Sequence, residues 1–323
     1  MNKPVALFLD KTSLYPDDLD FSLLDEVARW QWFDNVSVTD IRHSLETAEI
    51  IVTNKVLLNK EVIDYCHRLK LICVAATGVN NIDLEAAKYK NIKVCNVRSY
   101  ATPSVSQHVF SLVLALNRKL FSYKDAVNNG GWSHSDFFCY FGAPVSELQG
   151  KTLGIIGYGE LGQTVAKIAR CFGMKVKLAK RDESDLRAER IDLIELLSVS
   201  DVVSLHCPLT DSNRHMIAEK ELSVMKSDAI LINTARGGLV DEKALLQALE
   251  NKVIAGAALD VLEEEPPSTN HPLIDYSMSS PDNDNLIITP HIAWASRESR
   301  QRLVDEIAKN IQVYLQGQPR NLV

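Results

Sequence analysis

Three groups of residues in this 323-residue chain could do chemistry, and their order along the chain is informative. Arg236 stands in Ile232-Asn233-Thr234-Ala235-Arg236-Gly237-Gly238, directly after an apolar run. An acidic run, Glu263-Glu264-Glu265, precedes Pro266-Pro267, and His291 follows Thr289-Pro290. A guanidinium can hold a carboxylate bidentately and polarise the carbonyl next to it. A histidine with a carboxylate partner suits proton transfer near neutral pH, because the carboxylate favours the imidazolium form. A cation and a proton donor are what the reduction of a carbonyl beside a carboxylate requires, once a hydride donor is held nearby.

The hydride donor has its own signal. Gly157-Tyr158-Gly159-Glu160-Leu161-Gly162 follows the apolar run 153–156 and opens a helical pattern with Leu161, Val165, Ile168, Ala169 and Phe172 on one face. In that strand–loop–helix setting the glycines serve a tight turn, close approach of backbone to a pyrophosphate, and helix–strand packing. The helix N-terminus offers free N–H groups and a positive dipole end to the phosphates. The next strand, 175–179, ends in Lys180-Arg181, where a ribose-binding acid is expected if the cofactor is NAD. Two cations there point to NAD(H) or NADP(H) with a lean to NADP(H), offset if Asp182 and Glu183 turn inward.

Short apolar runs alternating with helical spacing must position these groups. Runs at 5–9, 50–53, 71–75 and 93–97 predict one set of buried parallel strands, and runs at 153–156, 175–179, 202–205, 229–233, 254–259 and 286–289 predict a second. The fold class is therefore α/β: a Rossmann cofactor domain plus a smaller doubly wound, flavodoxin-like domain. Amphipathic helices are predicted at 104–120 and 296–315, and an irregular aromatic stretch runs from Trp132 to Phe141. That stretch is too apolar for an ordinary exposed loop and predicts a homodimer contact. In the first set, Gly78 and Val79 follow a strand, so their backbone N–H groups are candidates for a substrate carboxylate; Lys55, after another strand, is a weaker candidate to attract anions.

Composition bounds the partners. Hydrophobic residues make up 46% and charged residues 24%, and the net charge is -7 without a long basic run, which argues against nucleic acid or an anionic membrane. No stretch approaches the roughly 18 apolar residues of a membrane span. Six scattered cysteines without C-x-x-C suit a reducing cytoplasm and no metal site.

These motifs together resemble the D-isomer-specific 2-hydroxyacid dehydrogenase family, with the nearest likeness to its glycerate dehydrogenase and hydroxypyruvate reductase branch. The landmarks span nearly the whole chain: ATGVNNIDLEAA (76–87), VSQHVFSLVLAL (105–116), ELQGKTLGIIGYGELG (147–162), LHCPLT (205–210), INTARGGLVDE (232–242), GAALDV (256–261), EEPP (264–267) and TPHIAWAS (289–296). The resemblance implies Arg236 as substrate anchor, Glu265 as the one glutamate of its run that partners the histidine, and His291 as general acid/base. It implies cofactor contacts at Thr77, Glu160, Leu161, Cys207, Thr234, Ala235 and Asp260. It also implies a discontinuous substrate domain, 1–100 with 292–323, around a cofactor domain at 101–291. The expected activity is reduction of a small 2-keto acid, hydroxypyruvate or glyoxylate. Pyruvate as substrate and a cofactor-sensing, corepressor-like protein are the alternatives, and the retained trio argues against the second.

Overall fold

Runs such as Val5–Phe8 and Ile50–Thr53 lack the polar alternation of a half-solvated strand, and they lie in the middle of a parallel sheet buried on both faces. The computed structural model describes residues 3–181, 184–185, 187, 189–279 and 284–323. The chain divides into two units, Met1–Ala101 with Ala295–Val323, and Thr102–Trp294.

The first unit holds β1 (Val5–Phe8), β2 (Arg29–Trp32), β3 (Ile50–Thr53), β4 (Leu71–Val74) and β5 (Lys93–Cys95), all parallel in the order β2-β1-β3-β4-β5. This is the doubly wound, flavodoxin-like order, with the chain reversing direction across the sheet at β1. β2 is a strand that periodicity did not predict. It is a four-residue edge strand, Arg-Trp-Gln-Trp, with no fully buried residue, so it lacks an apolar run. The final helix, Arg297–Leu315, belongs to this unit. Its Ser296 hydroxyl caps the first turn by accepting from the Ser299 N–H, as an N-cap serine does. Buried Arg300 ties the helix to the segment after β1, donating to the Leu14 carbonyl at 2.9 Å and to both Asp18 oxygens at 2.7 and 3.0 Å.

The second unit holds β6 (Thr152–Ile156), β7 (Lys175–Ala179), β8 (Arg190–Ile191), β9 (Val202–Leu205), β10 (Ile230–Asn233), β11 (Gly256–Leu259) and β12 (Leu286–Ile288), parallel in the order β12-β11-β10-β9-β6-β7-β8. The sheet reverses between β6 and β9, which creates the crevice where a Rossmann fold takes its dinucleotide. β8 is another unpredicted edge strand, two residues long and too short to carry a periodic signal. The long helix is also shorter than expected. It spans Thr102–Asn117, and a separate helix, Leu120–Asn128, follows a left-handed Lys119 with φ 51°. Among the described residues no helix is long and apolar enough to cross a membrane.

Candidate active site

Arg236, Glu265 and His291 all lie in the second unit, past the ends of β10, β11 and β12, and line one cavity of about 250 Å³. Each is delivered by a loop whose backbone is held by side-chain acceptors, of which Asn233 and Asp260 are buried. After β10, the side chain of buried Asn233 accepts from the Ala235 N–H at 3.0 Å and donates to the Arg236 carbonyl at 2.8 Å. That clasp turns Thr234 and Ala235 past the strand end and leaves Arg236 exposed into the cavity. Gly237 is required by contact: a Cβ there would lie 1.9 Å from the Leu262 carbonyl carbon. The Arg236 loop and the Glu265 loop are thus in backbone contact.

The Glu265 loop closes on itself. Oε1 of Glu265 accepts from the Leu262 N–H at 3.0 Å, which leaves Oε2 facing His291 Nδ1 at 2.7 Å. Its neighbour Glu263 is held from outside the loop. Its N–H donates to Glu242 Oε1 at 2.7 Å, and its carboxylate takes Arg214 and, at 3.2 Å, His215. The choice of Glu265 from the acidic run therefore has a geometric reason: Glu263 is engaged elsewhere, and Glu265 reaches the ring.

His291 has a left-handed backbone, φ 54°, a sparsely populated region for a non-glycine residue. Surrounding hydrogen bonds enforce it. The His291 N–H donates to the Asp260 and Thr289 carbonyls, each at 2.9 Å. The Asp260 carboxylate, 1% exposed, accepts from the N–H groups of Ile292 at 3.0 Å and Ala293 at 2.9 Å and from the Thr289 hydroxyl at 2.5 Å. His108 Nε2, from the helix after residue 101, meets the Thr289 hydroxyl at 3.0 Å. Asp260, read in the sequence as a cofactor contact, is placed as the brace of the loop that carries His291. Asn233, Glu242 and His108 were not singled out in the sequence. Each lies in one of the motif blocks, but a single chain gives no sign of which acceptor meets which N–H.

The dinucleotide loop occupies the switch point. Gly157 has φ 97° and packs against the backbone of His206 and Cys207, so close that a Cβ would fall 2.5 Å from the Cys207 nitrogen. Gly162 packs under the loop, whereas Gly159 faces open space: nothing stands within 4 Å of its would-be Cβ. A helix, Glu160–Cys171, starts there, with Glu160 taking a bond from the Thr102 hydroxyl at 2.8 Å and half-buried Leu161 packed against the core. Two buried polar atoms on this side have no partner among the described residues, Thr234 Oγ1 and His206 Nδ1. Open space at the middle glycine and orphaned polar atoms nearby fit a bound nicotinamide dinucleotide. Burial lowers the His206 imidazole to about 4 and pushes the Cys207 thiol up.

At the end of β7 the two cations part company. Lys180 Nζ pairs with Asp192 at 3.0 Å; Arg181 is exposed, with its N–H on Asp185 at 3.1 Å. Asp182 and Glu183 lie outside the described residues. Arg190, also unforeseen, lies over the Tyr158 ring at 5.6 Å and donates to the Ala179 carbonyl at 3.0 Å.

In the first unit, Thr77, Gly78 and Val79 follow β4, and the Thr77 hydroxyl donates to the Val97 carbonyl at 2.9 Å. Lys55, after β3, is exposed; its N–H donates to Asp10 at 2.6 Å, and it lines a cavity of about 540 Å³ with Asp10, Ser37 and Leu57.

Residues 110–293 match the family described as D-isomer specific 2-hydroxyacid dehydrogenase, NAD binding domain. The chain is 43% identical over 323 residues to a glycerate dehydrogenase of Methylorubrum extorquens, covering 100% of this chain and 99% of that one. It is 37% identical over 324 residues to a hydroxypyruvate reductase of Blautia hydrogenotrophica, covering 98% of each. Among solved structures it is similar to an acyclic imino acid reductase in complex with NADPH and D-Arg, with TM-score 0.84, 32% identity and 99% of each chain covered. The chain belongs to the D-isomer-specific 2-hydroxyacid dehydrogenase family.

Proposed function

We propose that this protein reduces hydroxypyruvate or glyoxylate to the corresponding 2-hydroxy acid, D-glycerate or glycolate. The observation that carries the reading is the Nδ1–Oε2 pairing of His291 and Glu265 at 2.7 Å in the same cavity as Arg236. A bound nicotinamide supplies the hydride. Arg236 holds the substrate carboxylate and polarises the keto group. His291, oriented through Nδ1 by Glu265, presents Nε2 to the carbonyl oxygen and donates the proton as charge develops there. The names of the similar glycerate dehydrogenase and hydroxypyruvate reductase support this substrate class. Gly78, Val79 and Lys55 are the substrate contacts proposed for the first unit. The same reading makes 102–294 the cofactor domain and the remainder the substrate domain. The test is oxidation of D-glycerate against L-glycerate. D-glycerate alone is expected to be oxidised, and oxidation of the L isomer alone, or of neither, contradicts the proposal.

On the cofactor, we infer that NADPH is used at least as well as NADH. The two positions that follow β7 hold cations, Lys180 and Arg181, in place of the carboxylate that would repel a 2′-phosphate. One charge-assisted contact contributes about 1.5–3 kcal/mol, roughly ten- to a hundredfold in affinity. The protein is further proposed to be a cytoplasmic homodimer. Phe137, Phe138 and Phe141 are 71, 92 and 86% exposed in the single chain, an apolar surface that a second copy would cover. Light scattering at micromolar concentration should give the dimer mass; a monomer rejects it.

A further inference from the structure

We propose that Glu242, which lies outside the reacting trio, is a positioning residue that sets Glu265, and through it His291, for proton transfer. The inference rests on the proposed roles of Glu265 and His291.

Glu242 is the first residue of the helix Glu242–Glu250, and its carboxylate is divided between two partners. Oε1 accepts the Glu263 N–H at 2.7 Å, and Oε2 meets His271 Nε2 at 3.1 Å. Both side chains are largely sealed from water, at 18% exposure for Glu242 and 9% for His271. A carboxylate that accepts from a backbone N–H makes a charge-assisted bond, stronger than a neutral one.

The bond is made at the point that controls the trio. Glu263 lies between Leu262, whose N–H fixes Glu265 Oε1, and Glu265 itself. Gly237, beside Arg236, rests against the Leu262–Glu263 peptide. The anchor on Glu263 therefore holds the peptide from which the Glu265 carboxylate is hung. Its side-chain partners, Arg214 and His215, are about half and over one-third exposed against 18% for Glu242, so they make the weaker anchors. Displacing the loop by a fraction of an ångström lengthens the 2.7 Å contact to His291 and turns the ring.

Position and charge make opposite forecasts for two conservative variants. Glu242→Gln keeps an oxygen acceptor at the same reach and loses the charge. Glu242→Asp keeps the charge and falls short of the Glu263 N–H by one methylene. If Glu242 acts by placing the loop, Glu242→Gln retains most of the parent kcat for hydroxypyruvate reduction, and Glu242→Asp loses about ten- to a hundredfold. NADH affinity should stay at the parent value in both. The effect should also vanish in the Glu265→Gln background, so that Glu242→Asp/Glu265→Gln is no slower than Glu265→Gln. Glu242→Asp at parent kcat, Glu242→Gln as the slower of the two, or an additive double variant overturns the inference alone. Parent kcat in Glu265→Gln overturns the assignment of the trio and this inference with it.

Discussion

The two edges of the second sheet hold their charged groups differently. Beyond β10–β12, each loop is tied by a side-chain acceptor: buried Asn233 under Arg236, buried Asp260 under His291, and half-buried Glu242 behind Glu263. Beyond β7, buried Asp185 likewise holds the Arg181 N–H, but the lysine at the strand end meets its partner near solvent, in the Lys180–Asp192 pair, whose side chains are 30% and 71% exposed. A buried acceptor fixes geometry because losing it strands an N–H group in a dry environment. A solvated pair contributes little and is readily exchanged. The reacting edge should thus tolerate almost no change, and the edge proposed to choose the cofactor should be adjustable.

Breaking the reacting edge should give the largest effects. Replacing His291 with Ala removes the proposed proton donor and should cut kcat for 2-keto acid reduction by roughly 10²–10⁴-fold, with NADH affinity retained. Steady-state kinetics alongside a cofactor titration checks both halves. Arg236→Lys keeps the charge but not the planar fork. It should raise KM for the keto acid and lower kcat; unchanged kcat/KM would move the carboxylate anchor to the Gly78–Val79 loop or Lys55. Asp260→Asn tests the brace without touching the reacting groups. An amide cannot satisfy the Ile292 and Ala293 N–H groups with both of its ends, so denaturant unfolding should show a loss of about 1–3 kcal/mol together with slower turnover.

The adjustable edge should answer more softly. Lys180→Asp should shift the NADPH/NADH ratio of kcat/KM toward NADH by about tenfold, leaving kcat with NADH near the parent value. A parent that already prefers NADH strongly would show that both cations point into solvent. The smallest effect concerns His206, which burial holds at about 4 against an ordinary 6.5. The folded ring stays neutral while the unfolded ring gains a proton first, so the ring costs no stability above pH 6.5 and an increasing amount as pH falls toward 4. His206→Gln should therefore lose less thermal stability than the parent between about pH 7 and about pH 5; equal losses would contradict the shielding of that ring.

The contrast also explains what could be read in advance. Parallel central strands are legible because burial on both faces leaves apolar residues in a row, four of them in β4. Edge strands carry no such constraint, which is why β2 and β8 went unseen. The glycine loop and the trio were visible because close backbone approach and charge chemistry each demand particular residue types. The acceptors behind them were not: Asn233 and Glu242 are ordinary residues until a fold brings an N–H to them, and Asp260 was legible only as a cofactor contact implied by the resemblance. The break at Lys119 was hidden because the apolar pattern continues beyond it into Leu120 and Phe121.

The central claim is most directly tested by kcat/KM for hydroxypyruvate, glyoxylate, pyruvate and phosphohydroxypyruvate, each with NADH and NADPH. The account predicts the highest values for hydroxypyruvate and glyoxylate, with NADPH at least equal to NADH. Failure to turn over any of the four with either cofactor, in protein that still binds the dinucleotide, would contradict it.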